Sequence, residues 1–200
     1  MPPSSQVVVA GRADADALSH VIAEAFHPLP PSEWLIPDPA ARRGVYPGYF
    51  RIFVEDALAS GVVHTTPDRT AVALWLPVGE RPGSPPPGYA DRLAAATGPW
   101  AARFELFDDT LERGHPAGVA HQHLAILAVR PGVQGRGTGT ALLRAQLAAL
   151  DQAGTPTYLE ASAPRNRALY LRHGYSDHGP PVRLPDGTPM YPMWREPNAR

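Results

Sequence analysis

Three glycines on alternate positions, Gly135, Gly137 and Gly139, stand between an apolar run and a helical repeat, and this junction limits what the chain can fold into more than any other feature. His123 to Val129 reads as a strand, and Thr138 to Gln152 as a helix with Ala141, Leu142, Ala145 and Leu150 facing inward. Tyr158-Leu159-Glu160-Ala161 reads as a second strand. Gly154-Thr155-Pro156 closes the helix with a glycine just past its last turn and a proline beyond. Strand, helical crossover and strand in that order predict a parallel pair inside a mixed sheet.

Glycines spaced this way leave the backbone unshielded. Several N–H groups can therefore converge on an anion at the positive end of the following helix, with Arg136 adding a charge-assisted contact. The plain alternative is a tight turn that binds nothing. A Rossmann fingerprint needs its third glycine one residue later, and a P-loop needs a lysine, which this sequence lacks altogether. Glu160 does lie where a ribose-binding acid would sit. The forty residues after it are too few for the remaining strands of a dinucleotide domain.

Upstream, Val7-Val8-Val9 reads as a short strand and Ala13 to Phe26 as a helix with Asp14 or Asp16 at its N-terminus. His27 to Pro39 holds five prolines and reads as a loop carrying Phe26, His27 and Trp34 at its edges. Helical spacing resumes from Pro39 to Ala59, with a break expected at Pro47-Gly48. Gly61 to His64 and Ala71 to Leu76 form a hairpin around Thr66-Pro67-Asp68-Arg69. Gly79 to Gly88 is a proline–glycine loop, and Tyr89 to Arg113 holds one or two helices interrupted near Gly98-Pro99. Pro164 to His173 is a short helix closed by Gly174, and two last strands flank Pro185-Asp186-Gly187.

Composition narrows the function classes. With 44% hydrophobic and 18% charged residues in 200, the chain has a core to bury, and it fits a single domain. A net charge of −1 supplies no field for nucleic acid or an anionic membrane, so neither is expected as a partner. The absence of cysteine excludes disulfides, thiolate metal sites and a cysteine nucleophile. The start, Met1 to Gln6, lacks a basic and apolar leader and no stretch is long enough to span a bilayer, so a cytoplasmic protein is expected.

Val129-x-Pro131-x-x-Gln134-Gly135-x-Gly137-x-Gly139, followed by Leu142-Leu143, resembles the acetyl-CoA-binding motif of the GNAT superfamily of N-acetyltransferases. Ala161 to Tyr175 resembles that superfamily's second signature, a helix with a tyrosine four residues before Gly-Phe/Tyr. Leu159 to Asn166, the Ala71 to Leu76 strand and Met193-Trp194-Arg195-Glu196-Pro197 have counterparts in the puromycin N-acetyltransferase group. The resemblance implies one α/β (α+β mixed) domain over residues 1–200, with an acceptor-side half at 7–120 and an acetyl-CoA half at 121–197. It also implies a central mixed sheet of about six or seven strands, splayed between the fourth and fifth and flanked by helices.

The same resemblance implies a set of site residues. Acetyl-CoA would lie on the backbone of Leu127, Ala128 and Val129, where the sheet opens at a bulge, and on Gln134, Gly135, Arg136, Gly137, Thr138, Gly139 and Thr140. Many members carry an asparagine seven residues before the tyrosine; here that position is Ala163, and Asn166, four before Tyr170, is with Tyr170 itself the further cofactor contact expected. Tyr170 is the expected acid for the departing thiolate, since a phenol is protonated at neutral pH. Its alternative role is packing on the helix face.

Glu160 interrupts an apolar strand, which marks it as base or amine anchor, or else as a cap for the helix near Pro164. His121 and His123 share a strand face and either could relay a proton, His123 being the deeper. No third residue has metal-ligand spacing with them, so no metal is expected. The acceptor would lie under Phe26, His27 and Trp34, with Tyr46 and Tyr49 as walls and Glu160 and His121 close by. Those aromatic walls point to a small aromatic or amphipathic primary amine; a puromycin-like acceptor, as in antibiotic resistance, is what the resemblance implies, and a monomer or homodimer is expected. A peptide N-acetyltransferase and a non-catalytic acyl-CoA sensor are the alternatives.

Overall fold

In the computed structural model, which describes residues 6–80 and 85–198, the helical crossover after the glycine turn sits at the centre of an eight-stranded sheet. The expected leader-free start at Met1 to Ser5, and residues 81–84 of the expected proline–glycine loop, lie outside the described residues. The strands are β1 (Val8–Val9), β2 (Val62–Thr65), β3 (Ala71–Val78), β4 (His121–Val129), β5 (Thr157–Ala161), β6 (Ser176–Asp177), β7 (Val182–Arg183) and β8 (Pro189–Arg195). Their spatial order is β1-β2-β3-β4-β5-β8-β6, with β7 also on β8. Among the described residues only β4 and β5 run parallel, joined by α6 (Thr138–Ala153); the other pairs are antiparallel.

Helices α1 (Ala15–Phe26), α2 (Pro30–Leu35), α3 (Pro39–Ser60), α4 (Tyr89–Thr97) and α5 (Ala101–Glu112) cover one face, and α6 and α7 (Pro164–Leu171) the other. The first core gathers Leu18, Ile22, Phe50, Val54, Leu74 and Ile126; the second gathers Trp75, Leu124, Leu142, Leu143, Leu159 and Met193. Gly61 joins α3 to β2 where a Cβ would fall 2.0 Å from the Trp75 carbonyl oxygen, so the close approach of two backbones requires glycine. Arg195, only 3% exposed, pairs with Asp151 at 2.7 Å and ties β8 to the end of α6.

Two expectations are corrected. Residues 27–39 are not all loop: Pro30, with no N–H to leave unpaired, starts the short α2, which seats Trp34 and Leu35 in the core. The break at Pro47-Gly48 does not occur either. Asp38 caps α3 by accepting from the N–H groups of Ala40 and Ala41, and buried Tyr46, Tyr49 and Phe50 hold the helix continuous through Pro47. Packing offsets the one hydrogen bond that proline removes.

Candidate active site

The site begins with a disagreement between two strands. β4 and β5 share only the pairs Gln122–Thr157 and His123–Tyr158, and then diverge. On its other side β4 stays paired to β3 along its whole length, but Trp75 faces Leu124 while Leu74 faces Ile126, so Ala125 is an extra, bulged residue. A bulge bends and twists its strand. The sheet splits beside it, after His123, leaving the Leu124 to Val129 backbone unpaired on the β5 side. The bulge lies at Ala125, ahead of the Leu127–Val129 stretch where it was expected; those three residues lie on the open edge.

Directly after that edge the chain turns through Gly132, Gly135 and Gly137, with φ of 88°, 78° and 86°. Glycine is required at 135 and 137 because the left-handed region disfavours any side chain. Gln134 pins the turn by donating from Nε2 to the Val129 carbonyl at 2.9 Å, and Arg136 reaches back to the Gly132 carbonyl at 3.3 Å. Gly137 is the N-cap of α6; no side chain caps the helix and no acid sits in its first turn. A helix N-terminus with no acid in its first turn, next to an exposed arginine, suits a pyrophosphate.

Opposite the turn, a cavity of about 180 Å³ opens on the split. Phe26, Tyr46, Tyr49, Phe50, Phe53 and Phe107 give it an aromatic wall. Leu124 to Leu127, Ser162, Asn166 and Tyr170 line the side toward the split. Its charged or titratable lining groups, apart from the two tyrosines of the wall and Tyr170, are Asp108, His123 and Glu160. Burial lifts the Asp108 carboxyl from 3.8 to about 6, although Tyr89 donates its hydroxyl proton to it at 2.5 Å.

Glu160, with 8% of its side chain exposed, faces two imidazoles. His123 Nε2 donates to its Oε2 at 3.0 Å, and His115 Nδ1 lies 3.7 Å from its Oε1. Burial by itself would raise the carboxyl, but the charge and hydrogen bonds of His123 and His115 outweigh it and hold Glu160 down at about 2. Helix α7 has Ala163 as its N-cap with no side-chain cap, so Glu160 does not serve as the cap considered from sequence. Tyr170 is 8% exposed, its ring edge-on to Tyr175 at 5.8 Å, and burial pushes its hydroxyl well above the ordinary value.

Of the residues expected around the acceptor, Phe26, Tyr46, Tyr49 and Glu160 line the cavity. His27 and Trp34 do not. His27 turns its Nε2 to the Pro39 carbonyl at 3.1 Å, and Trp34 packs under the Arg103 guanidinium at 5.4 Å, because α2 draws both away from the opening. His121 also lies behind the cavity, against His115 and Trp194, and its burial lowers the affinity of its ring for a proton. Asn166 lines the cavity and donates to Ser162 Oγ at 3.0 Å.

Three groups escaped the sequence reading. Asp108 stands four residues after Phe104 and three before Leu111, an acid on the inward stripe of α5, and that spacing was a legible signal. Ser162 lies beside the noted block without a spacing of its own. His115 follows the end of α5 in a turn, where no periodicity points.

Residues 102–177 match the sequence profile of the Acetyltransferase (GNAT) domain. The split mixed sheet flanked by helices matches the GNAT fold, whose acetyltransferases use acetyl-CoA. The structure is similar to that of histone acetyltransferase HPA2 and related acetyltransferase from Corynebacterium glutamicum, with 28% identity, a TM-score of 0.71, and 98% of this chain and 97% of that one covered. It shares its fold with arylalkylamine N-acetyltransferase 2 from Aedes aegypti, at 11% identity and a TM-score of 0.62 over 96% and 99% of the two chains. The ribosomal-protein-S18-alanine N-acetyltransferase from Escherichia coli is a further fold relative, at 17% identity and a TM-score of 0.54 over 98% and 95%.

Among the described residues no helix is long and apolar enough to cross a membrane.

Proposed function

We propose that the protein transfers the acetyl group of acetyl-CoA to the primary amine of a small cationic molecule with a flat apolar body, by direct attack and without a covalent enzyme intermediate. The observation that carries this reading is the cavity on the sheet split, walled by aromatic rings and bearing two acids, the half-buried Asp108 and the largely covered Glu160, with no arginine among its described lining residues. Aromatic walls take an apolar body and buried acids take an ammonium. A puromycin-like amine belongs to that class, and the resemblance of the Leu159 to Asn166 block favours it.

Acetyl-CoA, when bound, supplies the acetyl group as a thioester. The N–H groups of the glycine turn and the start of α6, with Arg136, hold its pyrophosphate, and the open backbone edge from Ala125 to Val129 holds its pantetheine arm and carbonyl. A carboxylate held at about 2 is a poor proton acceptor at neutral pH and a strong partner for an ammonium, so Glu160 anchors the amine and the His123 imidazole takes its proton. Tyr170, neutral throughout the physiological range, donates a hydrogen bond that stabilises the departing thiolate.

The test is thiol release from acetyl-CoA by the purified protein with a panel of amines that includes puromycin, phenylalkylamines and a histone-tail peptide. Turnover is expected with the small aromatic amines, and Tyr170→Phe is expected to lower kcat about 100-fold. Turnover with the peptide alone would replace this reading by peptide acetylation. Acetyl-CoA binding with no turnover on any amine would leave a sensor.

A further inference from the structure

Beside the cavity, which His123 lines, four rings crowd together: His115, His121 and His123 with Tyr158, the His115 ring 4.9 Å from that of His123 and 4.6 Å from that of Tyr158. Their hydrogen bonds fix which nitrogens carry hydrogen. The Val119 carbonyl can only accept, so His121 Nδ1, 2.8 Å away, donates to it. In its neutral ring His121 Nε2 is then an acceptor, and His115 Nε2, 3.1 Å away, donates to it. The other nitrogen of His115, Nδ1, is turned toward the Glu160 carboxylate, 3.7 Å from Oε1, so His115 and His123 converge on the same acid.

His115, His123 and Glu160 each offer one ligand atom, all within 4.8 Å of one another. Bonds of about 2.0–2.2 Å at tetrahedral angles place neighbouring ligand atoms about 3.3–3.6 Å apart. His123 Nε2 lies 3.0 Å from Glu160 Oε2 and His115 Nδ1 3.7 Å from Oε1, and no two of the three ligand atoms are more than 4.8 Å apart, so small side-chain adjustments bring them to that spacing. A metal-bound histidine ordinarily donates its second ring N–H to a partner that fixes its orientation. The His115, His121 and Val119 relay is such a partner, already in place.

We infer that His115, His123 and Glu160 form a binding site for one divalent transition-metal ion of the zinc type, with His121 as positioning residue. Two imidazoles and a carboxylate suit zinc, and they leave a fourth position open. His123 and Glu160 line the cavity, so that position faces the acceptor. On binding, the hydrogen of His123 Nε2 gives way to the metal and the ring takes its Nδ1–H form. Metal and ammonium then compete for Glu160, which makes the ion an inhibitor of any reaction whose amine Glu160 anchors. The metal site itself rests on the cluster alone and stands whatever the acceptor is.

The experiment uses the full chain stripped with a chelator and titrated with zinc chloride against a chromogenic chelator, without acetyl-CoA or amine. One zinc per chain with a micromolar or tighter dissociation constant is expected. His115→Ala and His123→Ala should remove that site, and His121→Ala should weaken it about 10- to 100-fold. His20→Gln, which alters an exposed histidine 3.8 Å from Asp16, should leave it intact.

Cobalt titrated into the unaltered chain gives a second reading that needs no variant: visible absorption of tetrahedral intensity, bleached by zinc, is expected. Binding no tighter than millimolar, absence of that cobalt spectrum, or full zinc stoichiometry retained in a folded His115→Ala protein would overturn the assignment.

Discussion

Asp108 faces the cavity at a cost that can be worked out. Lifting its carboxyl from 3.8 to about 6 penalises the ionised form in the folded protein by about 3 kcal/mol. The principal cause is burial, opposed by the Tyr89 hydroxyl and reinforced by the nearby Asp109 and Glu105. Because the folded state holds this proton more tightly than the unfolded chain, the contribution of Asp108 to stability is fully present below 3.8 and is lost as pH rises through about 6. Between pH 4 and pH 7 that loss is about 2 kcal/mol.

Asp108→Asn keeps an acceptor for Tyr89 and removes the titration. Urea unfolding of both proteins at the two pH values should show the original chain losing about 2 kcal/mol more than the variant. At pH 7 the variant should be the more stable of the two. The same change should raise KM for a cationic acceptor about 10-fold or more while leaving KM for acetyl-CoA alone, since an ammonium regains what burial took from the carboxylate. Equal pH differences for the two proteins would refute the reasoning and show Asp108 to be adequately solvated.

Gly137→Ala forces a side chain into φ of 86° at the start of α6, and should cost about 1–2 kcal/mol of stability and raise KM for acetyl-CoA in a thiol-release assay. Gly61→Ala drives a Cβ to within 2.0 Å of the Trp75 carbonyl; a loss of more than about 3 kcal/mol in thermal or urea unfolding is expected, with the α3–β2 junction displaced. Asp151→Asn leaves the Arg195 guanidinium without its anion and should cost about 2–3 kcal/mol at pH 7 by urea unfolding. The Arg195 hydrogen bond holds the Asp151 carboxyl below its ordinary 3.8. Its contribution is therefore present above that pH and disappears as pH falls, and the variant should match the original chain in strong acid.

Local pattern carried much of this structure. The alternation of β4, the amphipathic repeat of α6, its left-handed closure at Gly154 and the hairpin at β2 and β3 depend on near neighbours, and each is readable along the chain. Pro47 and the prolines of 27–39 misled for the same reason: their local effect is real, and the packing of Tyr46, Phe50, Trp34 and Leu35 overrides it.

The site divides along the same line. The glycine turn is a backbone device written in consecutive residues, so its place between β4 and α6 could be read from sequence. The acceptor side is not consecutive. Phe26 on α1, Tyr49 on α3, Asp108 on α5 and Glu160 on β5 meet only because the Ala125 bulge parts β4 from β5 and the helices close over the opening.

The sequence by itself thus determined the strand, glycine turn and helix from β4 to α6, and the order of elements that makes the sheet mixed. Only the tertiary structure decided that Glu160 faces His123 and His115 instead of capping α7, that His27 and Trp34 turn away from the cavity, and that Asp108 turns into it. Sequence periodicity reports which face of an element is buried, whereas the identity of the partner on that face is set by how elements far apart in the chain pack together.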